Sequence, residues 1–429
     1  MIAAVGGLGL SATLPAQAAT HRQVGHAAKV TLSELDWNSS GGDNTWQMQV
    51  NKAFENLHPN VTIARTSLSF SAATNTIALR LNSPAAPCVA AVNEGWGGVG
   101  TLAKDHLVLP LNSYAKQYGW FKEYAPAVLA QQMVSSNFKT LGQGTLYEMS
   151  SALGGSQGIY YNAKLLKQLH LSVPSTLSGF EHAMSVAKKA GIVPLEIGLQ
   201  DQVQITVPLY QVLDAVGNAQ NISHLVYGIG NVSIAATGMA KAAAIVQQWG
   251  KEGYFSPSAA GVSSGQAENN FLSGQGLFYP GWAGYTGTAS QNARTGFFVL
   301  DGKNGRPMTA DNSSIAFAIS SHCPTPAVAA QYLNFISSPA AAKIAVQDSL
   351  QPQIPVAVPN QAKNLIFTDQ VKVSNEVARA SGYVPYFDEA TLTMLTTIER
   401  NGESLAAGQE TPQAFVAALQ SDYSAFHKG

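Results

Sequence analysis

The sequence predicts an α/β protein built as two lobes. Three observations carry this. The chain has 429 residues, more than one hydrophobic core of ordinary size organises. Strand and helix patterns alternate along it. The segment Cys88–Val92 is apolar at every position, as a strand covered on both faces of a parallel sheet requires.

The elements follow in order. Val30–Leu35 reads as a strand that runs into Asp36-Trp37-Asn38-Ser39-Ser40-Gly41-Gly42. Residues 43–45 offer helix N-caps, after which Trp46, Val50, Phe54 and Leu57 share one helical face. His58-Pro59-Asn60 stops that helix, and Val61–Arg65 is a second strand. A helix carrying Ile77 and Leu81 precedes the strand Cys88–Val92; a helix over Trp96–His106 returns to Val108–Leu111. A second region begins near Ser151. It holds the strand Gly158–Tyr161, the helix Ala163–Leu169, and a helix in which Ser178 and Glu181 fit a capping box. Ile192–Ile197 is a strand, Ile205–Val216 a helix, and Ala235–Trp249 a long Ala-rich helix. The strands Gly296–Leu300 and Ser314–Ser320 follow, then the helix Pro326–Ser337, the connector Ile354-Pro355-Val356 and mostly helical sequence to the end.

Composition narrows the function. Charged residues make up 11% of the chain, less than half the usual ~25%, and the net charge is −1. No Lys/Arg run exists, so a nucleic-acid partner is not expected, and the scarcity of charge favours a neutral ligand. Ile2–Leu14 is an apolar run of the length of a signal-peptide core, followed by the A-x-A pattern Ala16-Gln17-Ala18. It predicts a signal peptide over residues 1–18, without the usual basic start, and an exported chain in the periplasm or at the outer face of the membrane. A disordered apolar tail is the alternative. The two cysteines, Cys88 and Cys323, either pair or sit as small buried hydrophobes. No histidine–cysteine spacing suits zinc and no carboxylate pair suits glycoside hydrolysis, so neither cofactor nor metal is expected.

One stretch says more than the rest. At 270–285 the chain reads Asn-Phe-Leu-Ser-Gly-Gln-Gly-Leu-Phe-Tyr-Pro-Gly-Trp-Ala-Gly-Tyr. A helix ends at Gly274, an apolar strand covers Gly276–Tyr279, and Pro280-Gly281 breaks it and throws Trp282 forward. Core packing is the plain reading of such a Trp. The segment also resembles the passage by which family 1 extracellular solute-binding proteins of ABC importers, the maltose-binding-protein group, present a Trp to bound sugar. Further phrases fall in the family's order: Phe54 to Val61, Pro87 with the strand to Val92, Leu107–Leu111, Ile159-Tyr160-Tyr161-Asn162 through Leu166 with Pro174 and Thr176, and Ile354-Pro355-Val356. Pro87-Cys88 departs from the family's frequent Pro-Asp.

The resemblance implies a two-lobed periplasmic-binding-protein fold of type II, with a hinge and a ligand cleft between discontinuous lobes. Lobe one covers 27–152 plus 313–350 and lobe two 153–312 plus 351–429. It implies a monomer that closes on a carbohydrate and delivers it to ABC permease subunits, and it implies a binding protein rather than an enzyme. In that topology the returning strand lies antiparallel beside the third strand, which brings Cys88 and Cys323 together.

Open α/β sheets bind ligands at the carboxyl ends of their strands. That rule selects Asp36, Trp37, Asn38 and Ser40 after the first strand, and Asn93, Glu94 and Trp96 after the third. Ser156 and Gln157 fall at the lobe crossing, and Gln202 and Gln204 on a later loop. Trp282 and Tyr285 follow, then Tyr383, Tyr386, Phe387 and Asp388. Rings of Trp37, Trp96, Trp282 and Tyr386 suit the C–H faces of a pyranose, while Glu94, Asn38, Gln202, Gln204 and Asp388 suit its hydroxyls. The alternative places Trp96 and Phe387 in the core and the Gln residues on plain surface.

Two motifs compete. Gly154-x-Ser156-x-Gly158 matches a nucleophile elbow, which makes an exported serine hydrolase the alternative function, but a β-prone run follows where a helix must begin. Gly95-x-Gly97-x-x-Gly100 matches a dinucleotide loop, but Trp96 crowds it and Glu94 repels a pyrophosphate. A structural or adhesive surface protein is the third reading.

Overall fold

The computed structural model describes Met1 and residues 28–427, apart from 40, 285–287, 312–314 and 357–363. The expected leader lies, beyond Met1, outside these residues. No described helix is long and apolar enough to cross a membrane.

Two sheets organise the chain, the first of them mixed. The first contains β1 (Val30–Asp36), β2 (Val61–Ser67), β3 (Val89–Val92), β4 (Glu148–Ser150) and the late strand Ala316–Ile319. Between these come β5 (Gln157–Asn162), β6 (Phe278–Trp282) and β7 (Thr295–Phe298), which form the second sheet; Ala316–Ile319 is therefore β8. The first sheet has the order β2-β1-β3-β8-β4. β1 pairs in parallel with β2 and β3, whereas β8 is antiparallel to both β3 and β4. The second has the order β6-β5-β7 and is wholly antiparallel. Its strands are short and flanked by helices, so β5 is buried along its whole length.

Helix α1 (Gly41–Leu57) buries Trp46, Val50 and Phe54 as its period requires, while Leu57 stays exposed at the end. The Trp46 indole N–H donates to the Ala341 carbonyl at 3.1 Å, which ties α1 to the helix Pro339–Gln347. The β3–β8 register sets Val89 opposite Ile319. It places the residues flanking these two side by side, and Cys88 and Cys323 form a disulfide with Cα atoms 4.4 Å apart. The segments that join the two sheets also run together: Gly154 N–H donates to Gln351 at 2.9 Å and Gln353 N–H to Ala152 at 2.8 Å.

Several elements differ from expectation. β6 continues through Pro280-Gly281 instead of breaking there. Pro280 sits opposite Ile159 on an edge strand, where its missing N–H costs no ladder bond. The Ala-rich helix is two helices, Ile234–Thr237 and Met239–Lys251, divided at Gly238 with φ 101°. The helix Leu177–Lys189 is capped by Thr176, whose hydroxyl accepts from Gly179 N–H; Glu181 instead accepts from the Trp249 indole at 3.1 Å. The strand expected at 192–197 reduces to isolated bridges at Leu195, and the return at 108–111 makes one isolated bridge, Val108 with Ser320.

Candidate functional site

A cavity of about 670 Å³ opens between the carboxyl end of the first sheet and the second. Its wall begins at the loop after β1. Asp36 turns inward: its carboxylate accepts from Arg65 Nε at 2.5 Å and Nη2 at 2.9 Å, from Ser67 Oγ at 2.7 Å and from Asn38 N–H at 2.8 Å. Asn38 is buried, with its amide on Gln47 and its carbonyl on Arg65. These bonds hold the loop so that Trp37 faces the cavity, braced edge-on by Phe70 at 5.3 Å between ring centroids. Gly41, Gly42 and Asp43 of the first turn of α1 continue this wall.

Beyond β3, Asn93 and Glu94 line the cavity. Gly95 then takes φ 76°, and a Cβ there would lie 2.8 Å from the backbone of Glu389, so only glycine admits this approach. The wide, π-helical turn Trp96–Gly100 that follows carries Trp96 away. Its ring is 4% exposed and packs on Phe426 at 5.5 Å, in the core.

At the crossing, Gly155 and Gln157 line the cavity. Ser156 is buried and its hydroxyl faces Asp311. On the other wall, Trp282 stands half-buried at the end of β6, followed by Ala283 and Gly284. A Cβ on Gly284 would lie 3.8 Å from Asp43 Oδ1, so the rims approach closely here. Gln204 is wholly buried between Gly198 N–H and the Pro280 carbonyl, both at 2.7 Å, and Val203 and Thr206 line the cavity in its place. Gln202 donates to Glu403 at 2.7 Å.

Tyr386 and Asp388 line the cavity and Phe387 between them points into the core at 1% exposure; Tyr386 is extended and Phe387 opens the short 3-10 turn Phe387–Ala390, where the backbone changes direction. Tyr386 donates its hydroxyl to the Gly155 carbonyl at 2.9 Å, and Asp388 accepts from Tyr210 at 2.6 Å. Tyr383 lies apart, bonded to Ser374. Tyr285 and Ser40 lie outside the described residues.

The structure thus brings Trp37, Asn93, Glu94, Gln157, Trp282, Tyr386 and Asp388 to one cavity. Asp36, Asn38, Trp96, Ser156, Gln202, Gln204 and Phe387 are not among its lining residues. Phe70, Asp43, Glu268 and Glu389 line it without having been expected. The strand-end rule reaches Phe70 once it is applied to β2. Glu268 rides on the helix Ser264–Leu272, and no feature of the sequence marks it.

Carboxyl groups dominate the electrostatics. Burial pushes Glu268 up to about 7. Burial also raises Asp388, against the hydrogen bond from Tyr210. Behind the cavity, Glu148 is fully buried, and neither of its carboxyl oxygens has a hydrogen-bond partner among the described residues. Burial and then the charges of Glu94 and Glu389 hold it far above the usual carboxylate range. Among the described residues, no group of three or more His, Cys, Asp or Glu is arranged to hold a metal.

The elbow motif lacks its geometry. Strand β5 begins at Gln157, directly after Ser156, and no helix follows until Ala163. His322 bonds the Leu81 carbonyl and His427 the Ala390 carbonyl, so neither serves Ser156.

Comparisons place this geometry. Curated proteins return no match. Solved structures return many with the same fold. A chitin oligosaccharide binding protein superposes with a TM-score of 0.75 at 19% identity, covering 94% of this chain and 100% of its own. RafE in complex with raffinose gives 0.68 at 16%, covering 94% and 100%. A sugar transporter from Bacillus licheniformis in complex with stachyose gives 0.65 at 16%, covering 92% and 100%. The fold is therefore that of the two-lobed, type II solute-binding proteins. The family model described as bacterial extracellular solute-binding protein matches residues 37–343, and the chain belongs to that family.

Proposed function

We propose that this protein captures a carbohydrate outside the cytoplasmic membrane, closes its two lobes on it and delivers it to an ABC import permease. The observation that carries this reading is that Trp37, from the loop after β1, and Trp282, from the end of β6, line a single cavity. Two indoles and the Tyr386 phenol offer flat apolar faces for pyranose C–H groups, and Asn93, Glu94, Gln157 and Asp388 offer polar atoms for hydroxyls. Closure strips water from these groups and strengthens each hydrogen bond. Chitin oligosaccharide, raffinose and stachyose appear with relatives of the same fold, and this supports a saccharide here. An affinity near micromolar, about −8 kcal/mol, needs only a few such bonds and two stacked rings.

The lobes divide near 152, 312 and 350 on this reading, and the leader directs export. A thermal-shift screen against mono-, di- and trisaccharides tests it. At 100 times its dissociation constant, a true ligand adds ~2.7 kcal/mol of stability. No shift with any saccharide contradicts the proposal.

A further inference from the structure

We propose that the helical surface at the far end of α1 carries a second carbohydrate site, a groove that holds a chain of a neutral polysaccharide. It stands apart from the cleft, and neither reading depends on the other.

A groove of about 400 Å³ lies where the end of α1 meets the helices Asn112–Tyr118 and Pro326–Ile336. It shares no lining residue with the cleft. Helix α1 separates the two. Gly41, Gly42 and Asp43 of its first turn line the cleft, and His58, directly after its last residue, lines the groove. Its 17 residues, at about 1.5 Å each, put roughly 25 Å between them.

Two buried rings hold the lining in place. Trp120 is wholly buried and positions one pair of groove residues. Its ring stacks with that of Tyr118, with centroids 5.7 Å apart and planes 24° apart, and its indole N–H donates to Asn334 Oδ1 at 3.0 Å. That bond fixes which way the Asn334 amide faces, and the amide nitrogen has no partner among the described residues. Phe54, also wholly buried, braces a second pair: His58 at 4.4 Å and Phe335 at 5.8 Å between ring centroids. Side chains held in this way lose little freedom when they meet a guest.

The chemistry of the lining selects that guest. Tyr118 and Phe335 offer rings to the C–H faces of a pyranose. Gln117, Gln331 and Asn334 offer amides, which donate and accept as sugar hydroxyls do. The two Gln side chains and the Tyr118 hydroxyl make no hydrogen bond among the described residues. No Asp, Glu, Lys or Arg is among the lining residues, so an anionic glycan or a phosphorylated peptide finds no countercharge. The walls are helical and give an extended peptide no strand edge. A surface groove holds one sugar unit weakly, whereas a polymer offers the same unit many times. Such a site concentrates the protein on a glycan surface and leaves the cleft free.

Affinity electrophoresis of the full chain tests this, in native gels cast with soluble starch, galactomannan or mixed-linkage β-glucan. At least one of these is expected to retard the parent protein and the Trp37→Ala/Trp282→Ala double variant alike. Tyr118→Ala is expected to weaken that binding roughly tenfold. Gln331→Ala, at an exposed position where folding is not at stake, is expected to weaken it about threefold. Both groove variants should keep the parent's calorimetric affinity for its best short saccharide. Retardation by none of the three polymers, or only by anionic polygalacturonate, overturns the inference and leaves the cleft reading untouched. Retardation lost in the double variant and kept in both groove variants overturns it as well, because the cleft is then what holds the polymer.

Discussion

The Tyr160 hydroxyl donates to the Trp282 carbonyl at 2.7 Å and accepts from the Gln370 amide at 2.8 Å. One buried phenol on β5 therefore fixes the end of β6, where Trp282 meets the cavity. Tyr160→Phe keeps the ring and removes both bonds, leaving the buried Gln370 amide without this partner. Unfolding in urea should show a loss of about 1–2 kcal/mol, and ligand affinity should fall by less than roughly tenfold. A variant as stable as the parent would mean that another group holds the strand end.

Asp36 and Arg65 make a second test, because Asp36 stands where a ligand residue is expected and turns inward instead. Its side chain is fully buried and that of Arg65 is 15% exposed. Asp36→Ala strands the guanidinium and releases the loop that carries Trp37. The expected cost is about 3 kcal/mol in chemical denaturation. A loss of ligand affinity with unchanged stability would instead make Asp36 a direct contact.

Stability should fall as pH rises through the neutral range. Burial, followed by the charge of Asp36, pushes Glu34 up to about 8, above its ordinary value of 4.5. Its hydrogen bonds from Asn51 and Tyr332 only partly oppose this. The folded state thus holds a proton that the unfolded chain has released, so the contribution is complete below about 4.5 and lost as pH rises towards about 8. Asp214, pushed up to about 7 by burial, acts in the same direction. Urea midpoints measured from acid to mildly alkaline pH should decline, by up to ~1.4 kcal/mol per pH unit per group. Glu34→Gln should flatten the decline, and an equal slope in that variant would remove Glu34 as its source.

The Cys88–Cys323 bridge closes a span of 235 residues. It ties the start of β3 to the chain beyond β8, and neither cysteine is among the residues that line the cavity. Replacing both cysteines by serine should lower stability by about 2–5 kcal/mol in guanidinium, with sugar affinity unchanged. Reducing agent should reproduce the loss in the parent protein. Indifference to both treatments would show that the bond adds nothing to stability.

Much of this was legible in the residues. The buried run of β3, the α1 face of Trp46, Val50 and Phe54, and the family phrases led to the fold directly. The strand-end rule found the neighbourhood of the cavity but not the direction of each side chain. Trp96 and Glu94 follow the same strand, yet the positive φ of Gly95 and the turn after it send Trp96 into the core. Tyr386 and Asp388 face the cavity while Phe387 does not, because extended backbone at Tyr386 gives way to a 3-10 turn at Phe387. Pro280-Gly281 reads as a break, and only its edge position lets β6 run on. Glu268 sits on a helix, where a rule about strand ends is silent.

The central claim is that two indoles from different parts of the chain grip one sugar. Isothermal titration of the best saccharide into the parent protein, Trp37→Ala and Trp282→Ala tests it most directly. Each variant should keep its circular dichroism spectrum and bind at least roughly tenfold more weakly, about 1.4 kcal/mol. Parent-like binding isotherms from both variants would contradict the claim.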